Sequence, residues 1–165
     1  MASSGKIFEN NWRKSVPNNV FFYRFRDSSS GWNPIEELRF TPSNIADCLL
    51  FDSNKLYLCE LKSHIGKSIP LNCIIGNKTK KKQVDDLLNA SNFKNIKCHI
   101  IVFFSDIEKC YALDIKDFFF FMQDNDRKSI PISYFESIAD EIEVLKLRTN
   151  YKYNIDKWLK EKSNN

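Results

Sequence analysis

The sequence predicts an α/β fold, a central mixed sheet flanked by helices. Three observations point there. Ile45 to Ser63 reads as two strands joined by a turn of Asp52, Ser53 and Asn54. Cys98 to Phe104, CHIIVFF, is a continuous apolar run of the kind buried on both faces of a sheet. Amphipathic helical stretches precede the first feature, separate the two, and follow the second. The order is helix, three strands, helix, two strands, then helices.

Taken in order, Ser3 or Ser4 caps a helix over about 6–14, with Ile7, Phe8 and Trp12 as its apolar stripe and Glu9 near it. Val20 to Arg26 is a strand with Phe21, Tyr23 and Phe25 on one face and Phe22, Arg24 and Arg26 on the other. Arginines beside an aromatic on an exposed sheet face suit a phosphate backbone, or are simply solvated. Residues 27–44 form a polar loop in which Trp32, Arg39 and Phe40 either touch DNA or pin the loop to the core. Asp47 opens the first hairpin strand, and Leu56 to Leu61 is the second, with Glu60 near its end. Residues 63–77 form a connecting loop containing Lys67, and Lys78 to Ala90 is a helix with Val84, Leu87 and Leu88 on its apolar side. Lys78, Lys80, Lys81 and Lys82 crowd its N-terminus, against the helix dipole, which an anionic partner would offset. Strands at 98–104 and 110–113 precede an aromatic helix at 115–122. Ile130 to Ile132 is extended, Ser133 caps a helix through Glu141, and 151–162 is an amphipathic tail helix carrying Ile155, Trp158 and Leu159. No internal repeat is apparent.

The 165 residues fit a single domain, with a core over about 5–145 and a helical tail over about 151–165. Its fourteen Phe dominate the core candidates. Four Gly and no G-x-x-x-x-G-K-[ST] exclude a glycine-rich loop for a nucleotide cofactor. A net charge of +4 permits an anionic partner without demanding one. The five Cys form no C-x-x-C pair and read as reduced, mostly buried thiols of an intracellular protein. Only His64 and His99 accompany them, without zinc-ligand spacing. The opening MASSGKIFEN lacks an apolar signal-peptide core, and no apolar run reaches the roughly 18 residues of a membrane span.

The chemistry concentrates in the hairpin. Glu60 and Lys62 are two apart and share a strand face, and the hairpin folds Asp47 back beside them. Charges placed where the pattern predicts burial are costly unless they pair or hold a metal. Two carboxylates with a neighbouring main-chain carbonyl, that of Leu61, are hard oxygen ligands of the kind Mg²⁺ takes, with Mn²⁺ able to substitute. Lys62 would orient the attacking water or offset developing charge. Asp-x12-Glu-x-Lys is the layout of the PD-(D/E)xK nuclease superfamily, and its bland alternative is a surface hairpin with a Glu–Lys pair.

Further motifs in one order make the resemblance specific. They are Gly5-Lys6-Ile7-Phe8-Glu9, Asn44-Ile45-Ala46-Asp47, Glu60-Leu61-Lys62-Ser63, Gly66-Lys67-Ser68-Ile69-Pro70, Gln83 with Leu87, and Arg127-Lys128-Ser129-Ile130-Pro131. Across roughly Gly5 to Glu141 the chain resembles the RecU-like Holliday junction resolvases, particularly the shorter phage and prophage versions. The resemblance implies a restriction-endonuclease-like core and a homodimeric, Mg²⁺-dependent endonuclease acting on four-way junction DNA in the cytoplasm of a bacterial host. It makes Asp47 and Glu60 metal ligands and Lys62 the catalytic lysine, with Glu9 and Gln83 as supporting residues. Arg24, Arg26, Arg39, Lys67, Lys78, Lys80, Lys81 and Lys82 are the expected DNA contacts. In the family a longer stalk stands where this chain has residues 27–44. The alternatives are a nuclease of restriction or flap type and a non-catalytic DNA-binding module.

Overall fold

The computed structural model describes residues 3–25, 44–124 and 126–163. The expected mixed sheet is present. Its six strands are β1 (Phe21–Arg24), β2 (Cys48–Phe51), β3 (Leu56–His64), β5 (Ile96–Phe104), β6 (Lys109–Asp114) and β8 (Asp140–Ile142), hydrogen-bonded in the order β1-β2-β3-β5-β6-β8. All neighbours are antiparallel except β3 and β5, which run parallel. The crossover between those two contains β4 (Ser68–Pro70), α2 (Asn72–Ile75) and α3 (Lys78–Ala90). Two short ribbons complete the strands: β4 pairs with β7 (Ser129–Pro131), and β9 (Val144–Lys146) pairs with β10 (Tyr151–Tyr153).

Alternation along the strands divides the core in two. On one face, Cys48, Leu50, Cys59, Leu61, Ile101 and Phe103 pack against Phe8 and Trp12 of α1 (Ser4–Ser15) and Trp158 and Leu159 of α6 (Ile155–Ser163). On the other, Leu58, Ile100, Val102 and Phe104 meet Val84 and Leu87 of α3, Phe118 and Phe121 of α4 (Ile115–Asp124) and Phe135 of α5 (Ile132–Ile138). Of the aromatic run of α4 expected to be core, Phe118 and Phe121 are buried while Phe120 is exposed, because the helix turns it to the outer face. All five cysteines are free, four of them buried.

Several boundaries differ from the sequence expectation. β3 continues to His64, so Glu60 lies in mid-strand, and Asp47 sits one residue before β2. The long chain of β5 beside β3 supplies partners through His64, which extends the strand past the hairpin. The connection at 63–77 is structured, as β4 and α2. Ser133 does not cap α5; Pro131 holds the cap position without a side-chain bond, and the helix stops at Ile138. Residues 140–142 instead pair with Cys110–Ala112 as an edge strand, a tertiary pairing that overrides local helical preference. The expected tail helix begins only at Ile155, because Tyr151 to Tyr153 pair with β9.

Candidate active site

The site grows from the point where β2 begins. Its ladder with β3 starts at Cys48 opposite Cys59, so the register carries Asp47 opposite Glu60. Beyond that pair the β2-facing edge of β3 has no strand partner among the described residues. Asp47 Oδ2 takes up this edge, accepting the Leu61 N–H at 2.7 Å. The main chain of Asp47 is held on both sides: its N–H donates to the Cys59 carbonyl at 3.2 Å, and its carbonyl accepts the Phe25 N–H at 3.0 Å. The Leu61 carbonyl leaves β3 on the same edge as its N–H, toward the Asp47 carboxylate.

Glu60 faces the side of the sheet covered by α3, level with Ile100 of β5. It is one of few buried charged residues, only 4% exposed. Both its oxygens are engaged: Lys62 Nζ lies 2.5 Å from Oε1, and Gln83 Nε2 donates to Oε2 at 2.7 Å. Gln83 comes from the second turn of α3, a helix set in place by Asn77, whose Oδ1 accepts the Lys80 N–H at 2.9 Å. Burial pushes the Glu60 carboxyl up to about 7, the negative charge of Asp47 adds to this, Lys62 opposes it, and Glu9 contributes a smaller push. Burial works against the charge of Lys62, but the Glu60 and Asp47 carboxylates prevail and raise its pKa.

Burial and the neighbouring Asp47 carboxylate both disfavour the charged form of Glu60, and a bound cation would favour it. No group of three or more His, Cys, Asp and Glu side chains converges to hold a metal among the described residues. The donors at hand are two carboxylates and one main-chain carbonyl. That set fits a Mg²⁺-type ion, which is characteristically held by one or two carboxylates and completed by water and phosphate oxygens.

The remaining expected residues are distributed as follows. Glu9 lies on α1, on the opposite side of the sheet, paired with Arg24 of β1, and its charge still reaches Glu60. Arg24 is directed toward α1, where Phe22 also packs, yet its side chain stays 45% exposed; Phe21 and Tyr23 are exposed on the other face of β1. Lys67, Lys78, Lys81 and Lys82 are exposed and Lys80 half-buried. Lys82 pairs with Asp86 one turn along at 2.6 Å. Arg26, Arg39, Trp32 and Phe40 lie outside the described residues.

One pairing went unrecognised in the sequence. Lys67-Ser68-Ile69-Pro70 and Lys128-Ser129-Ile130-Pro131 are identical tetrapeptides, and the fold brings them together as the β4–β7 ribbon. The repeat was visible in the residues, but at four positions it is too short to announce a paired structure.

The family model described as Recombination protein U matches residues 52–157, which include Glu60, Lys62 and Gln83. The SPbeta prophage-derived uncharacterized protein YotM of Bacillus subtilis (strain 168) is 32% identical over 171 residues, covering 94% of this chain and 84% of that protein. The structure of Archaeoglobus fulgidus Hjc, a Holliday junction resolvase from an archaeal hyperthermophile, superposes with a TM-score of 0.50 at 11% identity, covering 83% of this chain and 95% of that one. That likeness shows a shared nuclease fold. The chain belongs to the Recombination protein U family of Holliday junction resolvases, in a prophage-type form, and is by that membership an endonuclease acting on DNA.

Proposed function

We propose that this endonuclease resolves four-way DNA junctions by hydrolysing phosphodiesters with Mg²⁺, or Mn²⁺ in its place, held by Asp47, Glu60 and the Leu61 carbonyl. The observation that carries the reading is the Asp47–Leu61 hydrogen bond of 2.7 Å, which fixes a carboxylate across from Glu60 at the open edge of β3. When bound, the cation supplies Lewis acidity toward the phosphate and a nucleophile at neutral pH. Asp47 and Glu60 orient that centre. Lys62, released from Glu60 Oε1, hydrogen-bonds the attacking water or a non-bridging phosphate oxygen and offsets the charge that develops there. Gln83 holds the Glu60 carboxylate against rotation. Two symmetric cuts call for a twofold homodimer, each subunit a single nuclease domain that includes α6.

Purified protein with Mg²⁺ is expected to nick both strands of a labelled four-way junction, while Asp47→Asn and Lys62→Ala bind the junction without cutting it. Cleavage by either variant at the parental rate would overturn the assignment. Equal cleavage of linear duplex would favour the restriction- or flap-type reading, and tight binding without cleavage in either cation would favour a non-catalytic module. Light scattering at micromolar concentration is expected to give a dimer.

A further inference from the structure

The paired K-S-I-P tetrapeptides are the feature that the catalytic centre leaves unused. Their register is antiparallel and centred on Ile69 opposite Ile130, with Ser68 opposite Pro131 and Pro70 opposite Ser129. Ile69 and Ile130 are buried in the core beneath the ribbon. The hydroxyls of Ser68 and Ser129 come off its other side and bond each other at 2.8 Å. The two ends match: the Ile132 N–H donates to the Lys67 carbonyl at 2.9 Å, and the Leu71 N–H donates to the Lys128 carbonyl at 2.9 Å. Each lysine main chain is thus pinned at one of two diagonal corners, in equivalent positions about a local twofold.

Unpaired positive charge collects at this ribbon, as it does at Lys78 and Lys81 of α3. Lys82, Lys109, Lys146, Lys157, Lys160 and Lys162 all pair with acids. Lys67, Lys128 and the adjoining Arg127 are exposed, and among the described residues none makes an ion pair. The ribbon is also close to the chemistry. Leu71, bonded to Lys128, leads directly into α2, which precedes α3, the helix that carries Gln83 to Glu60. α2 in turn packs on both β4 and α3.

We infer that the β4–β7 ribbon is a phosphate clamp for the DNA backbone beside the cut, with Lys67 and Lys128 gripping phosphates from its two corners and the Ser68 and Ser129 hydroxyls facing the strand between them. The inference rests on the nuclease reading above. Fixed main chain at both corners limits the lysines to side-chain adjustment, so the clamp sets the register of the strand relative to Lys62 without reading bases. Arg127 extends the basic surface.

The test is equilibrium binding of a labelled four-way junction in EDTA, measured over a NaCl series for the parent, Lys67→Ala, Lys128→Ala and the double variant. Lys157→Ala with Lys160→Ala, on α6, is the control. Each ribbon substitution is expected to weaken binding and to reduce the slope of log Kd against log[NaCl] by about 1, and the double variant by about 2. The control is expected to keep parental slope and cleavage. Thermal melts verify folding, and Lys67→Arg with Lys128→Arg is expected to restore the slope. If the double variant keeps the parental slope, or loses no more than the control, the ribbon is only a structural clip and the inference falls. Because binding is read without metal, that result is independent of cleavage; a parent that binds but does not cut would instead overturn the nuclease reading.

Discussion

The Gln83 amide donates to Glu60 Oε2 at 2.7 Å, tying α3 of the crossover to the middle of β3. With Lys62 on the other oxygen, both oxygens of the Glu60 carboxylate are held by a donor. A hydrogen bond to a charged group is worth about 1.5–3 kcal/mol, and outer partners of metal ligands typically change metal affinity or activity by roughly 10–100-fold. Gln83→Ala is therefore expected to raise the Mg²⁺ concentration needed for half-maximal cleavage by roughly 10–100-fold. Gln83→Glu is expected to be worse, since it sets a third carboxylate against Glu60. Mg²⁺ titrations of single-turnover cleavage distinguish this from a defect in the chemical step, which excess Mg²⁺ would not rescue.

The lysines of α3 are not equivalent. Lys82 is committed to Asp86 at 2.6 Å in an i,i+4 pair, whereas Lys78 and Lys81 are exposed with no acidic partner among the described residues. A lysine already paired releases fewer counterions when DNA arrives. Lys78→Ala and Lys81→Ala are each expected to reduce the salt slope of junction binding by about 1, and Lys82→Ala by clearly less. Equal slopes for all three variants would mean that Asp86 does not hold Lys82 in solution.

Much of the fold was legible because its strongest signals are local. Asn77 before Lys78 and the apolar spacing of Val84 and Leu87 delimit α3, and the structure places that helix at Lys78–Ala90 as the pattern requires. The hairpin that carries Asp47 and Glu60 was legible for the same reason: turn residues at 52–54 lie between two apolar runs. What sequence could not give depends on non-local pairing. β8 forms because β6 presents a free edge to Asp140–Ile142, and no local pattern distinguishes that edge strand from a helix end. The role of Arg24 depended on which face of β1 α1 would cover. Strand alternation assigns Arg24 and Phe22 to one face but says nothing about what packs there.

His99 is expected to make the fold acid-sensitive. It is buried between Tyr57 and Trp158, and its Nδ1 has no hydrogen-bond partner. Burial lowers its pKa to about 4; Asp114 and Asp140 push the other way, while Lys162 and Lys97 reinforce the drop. The sign follows directly. The folded state keeps His99 neutral where the unfolded chain, with an ordinary pKa near 6.5, takes up a proton. Its contribution is complete above about pH 6.5 and is lost as pH falls toward 4, by roughly 2–3 kcal/mol at the lower end. Urea midpoints at pH 7.5 and 4.5 should show this loss in the parent and a smaller one in His99→Gln. Equal losses would place the acid sensitivity elsewhere.

The C-terminal helix is structural as well as terminal. Trp158 is 1% exposed and contacts Trp12 of α1, Tyr57 of β3 and His99 of β5, so one indole joins both ends of the chain to the central strands. Its Nε1 reaches Asp140 at 3.4 Å, beside the ion pair of Asp140 with Lys162. Ile155 and Leu159 bury the same face of α6. Replacing a large buried aromatic by alanine costs about 3–5 kcal/mol, a large fraction of the about 5–15 kcal/mol that stabilises a typical domain. Trp158→Ala is expected to lower the melting temperature by several degrees and to expose Trp12 to collisional quenchers. A chain ending at Asn154 is expected not to fold, because it strips cover from Trp12, Tyr57 and His99 together. If that truncated chain instead melts cooperatively at the parental temperature and cleaves DNA, α6 is an appendage and the single-domain reading is wrong.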